Sequence, residues 1–356
     1  MMVMTKNIMA NRESNSRRNF SIDTFRVFSI FFVILHHQNT FQFPYNYYDG
    51  SGIFRFLYCL VHNIRLLPFF FIAAGYFFGK AILRGEAWQK RFITYNKRLL
   101  RLFCIWTFIY AFTSPHWLSD IKQYGFFQPL IGNITTIIQH PFNFFMTGTN
   151  ENLWYFPALI IALTILSIFV FLRIERYIIP FGFILYLTAL LGKSYSVLPF
   201  GYHVDFEMRQ GPFVSTLFVA MGWLLSKKDD YKTKTAVTLI FTGLLMMLIE
   251  ITFLWFTFRA GPTQEYLFGT IPFCLGVFWL ALSQPDIGKG TFLPELGKLT
   301  LGVYVVHILV GKLLVAFGPF VHPVLWDVLE PVVIYCVSIL FTIFLKNTTF
   351  TKAMVN

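Results

Sequence analysis

The feature that most limits how this chain can fold is a series of long apolar runs. Each run approaches the length that an α-helix needs to cross about 30 Å of hydrocarbon. The 356-residue chain is 56% hydrophobic and only 13% charged, with a mean hydropathy of +0.60, which excludes an ordinary soluble domain. We predict an all-α polytopic membrane bundle of about ten transmembrane helices. The runs are 22–41, 64–84, 99–113, 152–172, 177–192, 213–226, 235–258, 265–282, 299–318 and 327–346.

Lys and Arg predict the orientation of this bundle, because cytoplasmic loops retain positive charge during insertion. They concentrate in alternate connections, such as 84–98 and 227–234, which places both termini in the cytoplasm. We expect a basic arm at 1–21, a transmembrane domain at 22–346 and a short cytoplasmic tail at 347–356. This topological bias accounts for the net charge of +12, so no nucleic-acid partner is expected.

The segments between the predicted spans add two expectations. The longest ones, 42–63, 114–151 and 193–212, all lie on the outer side and are interpreted as loops that can cover a binding site. No paired cysteine spacing occurs, so neither a disulfide framework nor a metal site is predicted. The four cysteines are Cys59, Cys104, Cys274 and Cys336.

The first apolar run carries ionisable groups at both of its ends. Arg26 and His37 are eleven residues apart, which on an α-helix places them on one face with an axial separation of about 16.5 Å. Asp23 shares roughly the face of Arg26, whereas His36 points about 100° away from His37. One interpretation is structural, with Asp23 as a cap, Arg26 at the inner interface and the histidines near the headgroups. The other is a functional pathway, since charges at membrane depth usually face a bundle interior.

A second basic pair favours the functional interpretation. Arg98 and Arg101, in "KRLLRL", are three residues apart on the cytoplasmic end of the third predicted helix. Positive-inside anchoring is the alternative explanation for this pair. Together with Arg26 they would form a cluster that suits phosphate groups, which Arg binds through planar bidentate hydrogen bonds.

Five stretches resemble the acyltransferase-3 family of integral membrane proteins, which O-acylate bacterial surface glycans. "IDTFRVFSIFFVILHH" is similar to its Asp-x-x-Arg and Arg-x10-His signature, and "KRLLRL" to its Arg-x-x-Arg. "IRLLPFFFIAAGYFFGK", "NLWYFPALI" and "LGKLTLGVYVVHILV" are similar to later motifs of the family. Three positions depart from the pattern: Ala74 and Thr300 stand where Ser is usual, and Asn152 where His is usual.

The resemblance implies a reaction and a location. Acyl-CoA, most plausibly acetyl-CoA, would be the donor on the inner side, held by Arg26, Arg98 and Arg101. A hydroxyl of a surface or lipid-linked polysaccharide, such as lipopolysaccharide, would be the acceptor on the outer side, in the cytoplasmic (inner) membrane of a bacterium. His37 would act as general base, with a His-bound acyl intermediate as the less favoured route. Membrane lipid and a protein of polysaccharide assembly are the expected partners.

The remaining candidates have less decided roles. Glu151 is the nearest carboxylate by topology that could orient His37. Arg65, Asn152 and Trp154 are candidate substrate-binding residues, with membrane anchoring as the alternative for Arg65 and an aromatic belt slightly favoured for Trp154. Structural or undecided are Tyr304, His307 as a core histidine, and Glu250 as a functional carboxylate or a partner of Lys312.

Two other functions remain open from the sequence. A polysaccharide or lipid-linked sugar exporter could use the same cationic cluster to recognise a lipid phosphate. A non-catalytic membrane subunit would need neither Arg98 nor His37. Loss of activity without His37 would separate the enzyme from both alternatives, because transport without proton transfer tolerates loss of that histidine.

Overall fold

A computed structural model of the protein describes residues 18–48, 52–114 and 117–355. Most of the basic arm predicted at 1–21 lies outside these residues. The described residues form helices, turns and connecting segments, and no strand occurs among them. This agrees with the all-α class predicted from the apolar runs.

Sixteen α-helices make up the described part of the chain, and we number them in chain order. They are α1 Phe20–His37, α2 Gln42–Tyr47, α3 Gly52–Asn63, α4 Pro68–Leu83, α5 Trp88–Ala111, α6 Trp117–Tyr124, α7 Gln128–Gln139, α8 Pro141–Thr147, α9 Tyr155–Phe171, α10 Ile178–Gly192, α11 Pro212–Ser226, α12 Thr233–Phe258, α13 Thr270–Ser283, α14 Leu293–Gly297, α15 Thr300–Leu314 and α16 Pro323–Asn347.

Each of the ten predicted spans coincides with a helix. By length and composition, seven helical stretches of the described chain can cross a membrane, and the protein is a multi-pass membrane protein. Of the other three, α11 and α13 are apolar but short, and α5 is long but carries many charges. The seven are Phe20–His37, Gly52–Leu83, Glu151–Phe171, Glu175–Gly192, Thr233–Phe258, Thr300–Gly318 and Pro323–Asn347.

The outer stretches predicted as loops are largely helical. Helix α3 occupies the end of 42–63, and α6, α7 and α8 occupy most of 114–151. Proline and glycine in 114–151 indicated loops, but Pro129 and Pro141 lie in first turns, where a helix needs no N–H from them. The loop interpretation was therefore wrong for these segments, although they do border a cavity.

The start of α1 is tied to the loop that follows α13. Asn19 caps the helix, since its side-chain oxygen accepts the Ile22 N–H at 3.0 Å. The predicted capping role of Asp23 was therefore wrong. Ser21 donates its hydroxyl to the Gln284 carbonyl, and Thr24 donates to the Ile287 carbonyl at 3.2 Å.

Helices α4 and α11 cross at very close range through small residues. A Cβ added to Gly75 would overlap the Val219 carbonyl oxygen, and one added to Gly222 would overlap the Ile72 carbonyl oxygen. Close helix approach through glycine is a common way to pack helices in a membrane, where the hydrophobic effect does not drive them together. The α4–α11 pair forms one wall of the core, and α1, α5, α9 and α15 bring their polar residues together beside it.

Candidate functional site

Two cavities lie at different heights along α1. The smaller one, about 220 Å³, is called the inner cavity, and its polar lining comes from Arg26, Tyr95, Arg98, Tyr155, Lys298, Thr300 and Tyr304. The larger one, about 880 Å³, is called the outer cavity. Its polar and aromatic lining includes His36, His37, Asn39, His62, Arg65, Thr113, Asn133, Thr136, Thr149, Asn150, Glu151, Asn152, Trp154, Arg209, Glu265, Tyr266 and Lys312. Leu67 lines both cavities, so a thin partition separates them.

The inner cavity is strongly basic. Arg26 forms an ion pair with Asp23 at 2.9 Å, and Asp23 is shared with Arg18 at 2.8 Å. Arg98 and Lys298 also line the cavity, and both are exposed. Lys298 pairs with Glu295 at 2.7 Å, but neither Glu295 nor Asp23 lines the cavity. The charged side chains of the lining are therefore three cations, which suits a phosphate-bearing ligand.

The predicted triad of arginines is only partly assembled here. Arg26 and Arg98 share the inner cavity, whereas Arg101 is exposed and does not line it. A step of three residues turns an α-helix by about −60°, so Tyr95, Arg98 and Arg101 spread over about 120° of the helix surface. Tyr95 and Arg98 occupy the cavity side, and Arg101 is rotated away from it.

The outer cavity receives the C-terminal end of α1. His37 lines it and is exposed there, and its ring centroid lies 5.2 Å from that of His307 on α15. His307 itself is fully buried, with Nδ1 2.7 Å from the Tyr304 carbonyl oxygen. Because a carbonyl only accepts, Nδ1 carries the proton. In the neutral ring the buried Nε2 is then an acceptor beside His37, with no hydrogen-bond partner among the described residues.

A second pair of histidines borders the same cavity. The rings of His36 and His62 lie 5.4 Å apart. Nδ1 of His36 donates to the Phe32 carbonyl at 2.7 Å, and Nε2 of His62 donates to the Thr40 carbonyl at 3.1 Å. Both rings are thus anchored by backbone acceptors, whereas no hydrogen bond of His37 is found within the described residues.

The turn before α9 supplies two of the predicted substrate-binding residues. Asn152 is buried, and neither polar atom of its amide has a hydrogen-bond partner among the described residues. Its backbone carbonyl accepts the Tyr304 hydroxyl. Trp154 is 6% exposed and packs 6.2 Å from the Phe71 ring, so the aromatic-belt interpretation was wrong. An orphaned buried amide is costly unless a ligand completes its hydrogen bonds.

The predicted pairing of Glu151 with His37 is not formed. The Glu151 side chain is 83% exposed and lies 3.6 Å from Arg209, which also contacts Glu265 at 3.1 Å and Glu207 at 3.8 Å. Burial alone would lower the pKa of Arg209, but Glu265 and Glu207 raise its pKa above the ordinary value. Arg209 stays charged and holds the outer segments together, and Glu151 belongs to this network.

Glu250 is a structural carboxylate. It accepts the backbone N–H groups of Phe268 and Gly269, both at 2.8 Å, and the Tyr195 hydroxyl. The alternative partner Lys312 instead donates to the Thr113 hydroxyl at 2.9 Å. The proposed Glu250–Lys312 pair was therefore wrong, and Glu250 supports the start of α13.

Several lining residues carried no signal in the sequence. For the outer cavity these are His62, Arg209 and Glu265, and for the inner cavity Tyr95 and Lys298. Lys312 was considered only as a partner of Glu250. They come from loops and helices far apart in the chain, so no local spacing connects them. The excess of cations in the segments predicted to be cytoplasmic included Lys298 but did not distinguish it from the other cations there. Within the described chain, no group of three or more His, Cys, Asp and Glu side chains could hold a metal ion.

Comparison with known proteins agrees with this arrangement. The sequence pattern described as an acyltransferase domain (Acyl_transf_3) matches residues 19–346, nearly the whole chain. The chain belongs to the acyltransferase-3 family. This confirms the resemblance seen in the sequence motifs, which now lie around the two cavities of this acyltransferase-3 protein.

Two curated relatives also match the chain. A serine/alanine racemase of Enterococcus gallinarum is 26% identical over 305 residues, covering 82% of this chain and 40% of the relative. An amino-acid racemase of Enterococcus faecalis is also 26% identical over 305 residues, covering 81% of this chain and 40% of the relative. The chain thus spans about two fifths of the length of both. No solved structure matches the chain.

Proposed function

We propose that this protein is a membrane O-acyltransferase that moves an acyl group from acyl-CoA to a hydroxyl of a surface or lipid-linked polysaccharide. One observation carries the proposal: α1 presents Arg26 to a basic inner cavity and His37 to a larger outer cavity. The two cavities adjoin at Leu67. Membership in the acyltransferase-3 family supports the reaction class. The racemase names describe proteins that extend far beyond the match, so racemisation is not proposed.

The proposal includes a topology with about ten spans and both ends of the domain in the cytoplasm. In addition to the seven long apolar stretches, helices α5, α11 and α13 would also cross the membrane. Helices α11 and α13 carry long rows of buried residues, as inner members of a bundle do. This topology places the inner cavity on the cytoplasmic side and the outer cavity on the other side, in the inner membrane of a bacterium.

Acyl-CoA, with acetyl-CoA as the expected donor, would bind at the inner cavity. Arg26, Arg98 and Lys298 are suited to its phosphates. A cavity of about 220 Å³ is smaller than typical sites for drug-sized ligands, so the nucleotide would stay at the mouth while the thin pantetheine arm enters. Arg101, exposed one turn beyond Arg98, would add only long-range attraction.

The thioester would then be attacked at the partition between the cavities. A neutral His37 takes the proton of the acceptor hydroxyl as its oxygen bonds to the acyl carbon. The carbon–sulfur bond breaks, and the CoA thiolate leaves and takes the proton from His37. The Asn152 amide N–H₂, which has no hydrogen-bond partner among the described residues, would donate to the thioester oxygen as negative charge develops there. Transfer through an acyl-His37 intermediate is the less favoured route.

A complementation experiment tests this function. In a strain that lacks the gene, wild type and His36→Ala should restore O-acetylation of the surface glycan, measured at equal protein levels in the membrane. His37→Ala should lower it by about 100-fold or more, the usual effect of losing a general base. His36→Ala is the matched control, because it removes a neighbouring imidazole from the same cavity.

The same experiment can contradict the proposal. If acetylation is the same in all three complemented strains while the amount of surface glycan changes, an exporter is the better account. Two cavities separated by one residue would also suit alternating access.

A further inference from the structure

The charged groups that line the outer cavity do not balance. Its two carboxylates, Glu151 and Glu265, both contact Arg209, at 3.6 and 3.1 Å. Two further cations, Arg65 and Lys312, line the same cavity, and within the described chain neither forms an ion pair within 4.0 Å. With neutral histidines, the lining therefore carries a net positive charge.

Arg65 is placed with one of its guanidinium donors buried and unsatisfied. It lies in the link between α3 and α4, where Leu66 and Leu67 are buried and the Arg65 carbonyl accepts the Cys274 Sγ–H at 3.1 Å. Its Nε is buried without a hydrogen-bond partner in the described structure. A snorkelling arginine would extend its head into bulk water, whereas this one faces a protein cavity. A largely buried cation with no ion pair among the described residues is costly, which makes Arg65 a candidate for binding an anionic ligand.

Lys312 also keeps unused donors. Its Nζ donates to the Thr113 hydroxyl at 2.9 Å and lies 5.6 Å from the centroid of the Tyr110 ring. An ammonium group has three donors, so two remain beyond the bond to Thr113. The partners hold the ammonium in place without neutralising it.

The outer cavity continues into a groove along α7 and α8. This groove has a volume of about 160 Å³. The residues that it does not share with the cavity are Ile137, His140, Asn143, Phe144, Thr147 and Gly148. The shared residues are Asn133, Thr136, Thr149, Asn150 and Glu151. The groove therefore extends the outer cavity beyond its own lining, which would leave room for more than one unit of a linear chain.

We propose that the acceptor is an anionic polymer, whose carboxylate or phosphate groups bind Arg65 and Lys312. This inference rests on the proposed function and names the chemical class of its acceptor. Arg65 would bind an anion through two parallel N–H donors, and Lys312 would act as a point charge. A uronic acid chain and a polyol phosphate chain share this chemistry.

Binding to three probes tests the proposal. The full chain in lipid nanodiscs is titrated at low salt with hexagalacturonate, with a glycerol phosphate hexamer and with neutral maltohexaose. At least one anionic probe should bind about tenfold or more tightly than maltohexaose, because hydrogen bonds to a charged group are stronger than those between neutral groups. The tighter of the two anionic probes identifies carboxylate or phosphate as the group recognised.

Variants assign the effect to the two cations. Arg65→Gln and Lys312→Gln should each weaken binding of the anionic probe about tenfold, and Lys312→Arg should retain it. The control is Arg55→Gln, because Arg55 stacks 4.3 Å from the Trp255 ring and does not line the cavity. If Arg65→Gln fails to fold, Lys312→Gln and Lys312→Arg still show whether binding of the anionic probe depends on a cation in this cavity.

The outcomes separate this inference from the proposed function. Equal affinity for maltohexaose, no binding of either anionic probe, or unchanged affinity in the Gln variants overturns the anionic acceptor. If acyl transfer to maltohexaose is then observed, the proposed acyltransferase function still stands. Conversely, charge-dependent binding without any acyl transfer would support the anion-binding site and contradict the proposed acyltransferase activity.

Discussion

Single buried residues show why a charge in a membrane segment does not by itself indicate catalysis. Glu250 has the features of a functional carboxylate, since it lies in the long apolar helix α12. Its oxygens nevertheless accept two backbone N–H groups and the Tyr195 hydroxyl. His307 shows the opposite case. It was predicted as a core histidine, but its ring lies beside that of His37 and its Nε2 has no hydrogen-bond partner among the described residues.

Substitution of Glu250 should therefore affect stability rather than chemistry. Glu250→Ala leaves the Phe268 and Gly269 N–H groups unpaired, at a cost of about 1–3 kcal/mol for each. We expect a lower thermal midpoint in detergent, measured by size-exclusion chromatography after heating. The folded fraction should retain acyl transfer, and Glu250→Gln, which keeps one acceptor oxygen, should lose less stability. An inactive Glu250→Ala protein with an unchanged midpoint would contradict this role.

At the scale of elements, glycines decide how the helices pack. The motif "AAGYFFG" reads as an apolar helix, and its glycines lie against α11. Gly75 and Gly222 allow backbone-to-backbone approach that no larger residue permits. The resemblance identified this motif, but its partner helix could be found only in the fold, because small residues also occur where nothing approaches them.

A larger side chain at this helix crossing should disrupt the bundle. A Cβ at Gly75 would overlap the Val219 carbonyl, which belongs to a helix backbone and cannot rotate away. Gly75→Leu should therefore reduce the monodisperse fraction in fluorescence-detected size-exclusion chromatography to a small part of wild type. Gly132→Leu is the control, since nothing lies within 4 Å of a Cβ at that position. Equal elution profiles for both variants would show that the helices do not pack in this way.

The whole molecule places two sites of different character on the two halves of one bundle. The inner cavity is small and basic, and the outer cavity is large and contains both signs of charge. Charge asymmetry between the connecting segments predicts which half faces the cytoplasm. The arrangement requires Lys298 and Glu151 to be reached from opposite sides of the membrane.

Cysteine labelling tests that requirement. In a version with the four natural cysteines replaced, single cysteines are introduced as Glu151→Cys and Lys298→Cys, both at exposed positions. A membrane-impermeant maleimide should label Glu151→Cys in intact cells, and should label Lys298→Cys only after the membrane is opened. Labelling of Lys298→Cys in intact cells would contradict the topology and the cytoplasmic donor site.

The sequence by itself determined the helical class and the positions of the apolar helices, and it predicted a common face for Arg26 and His37. These follow from local properties, namely hydropathy and the regular turn of an α-helix. It could not determine that Arg101 turns away from the inner cavity, that Glu151 contacts Arg209, or that Arg65 and Lys312 share a cavity. Those contacts join segments far apart in the chain, so only the packing of the whole bundle decides them.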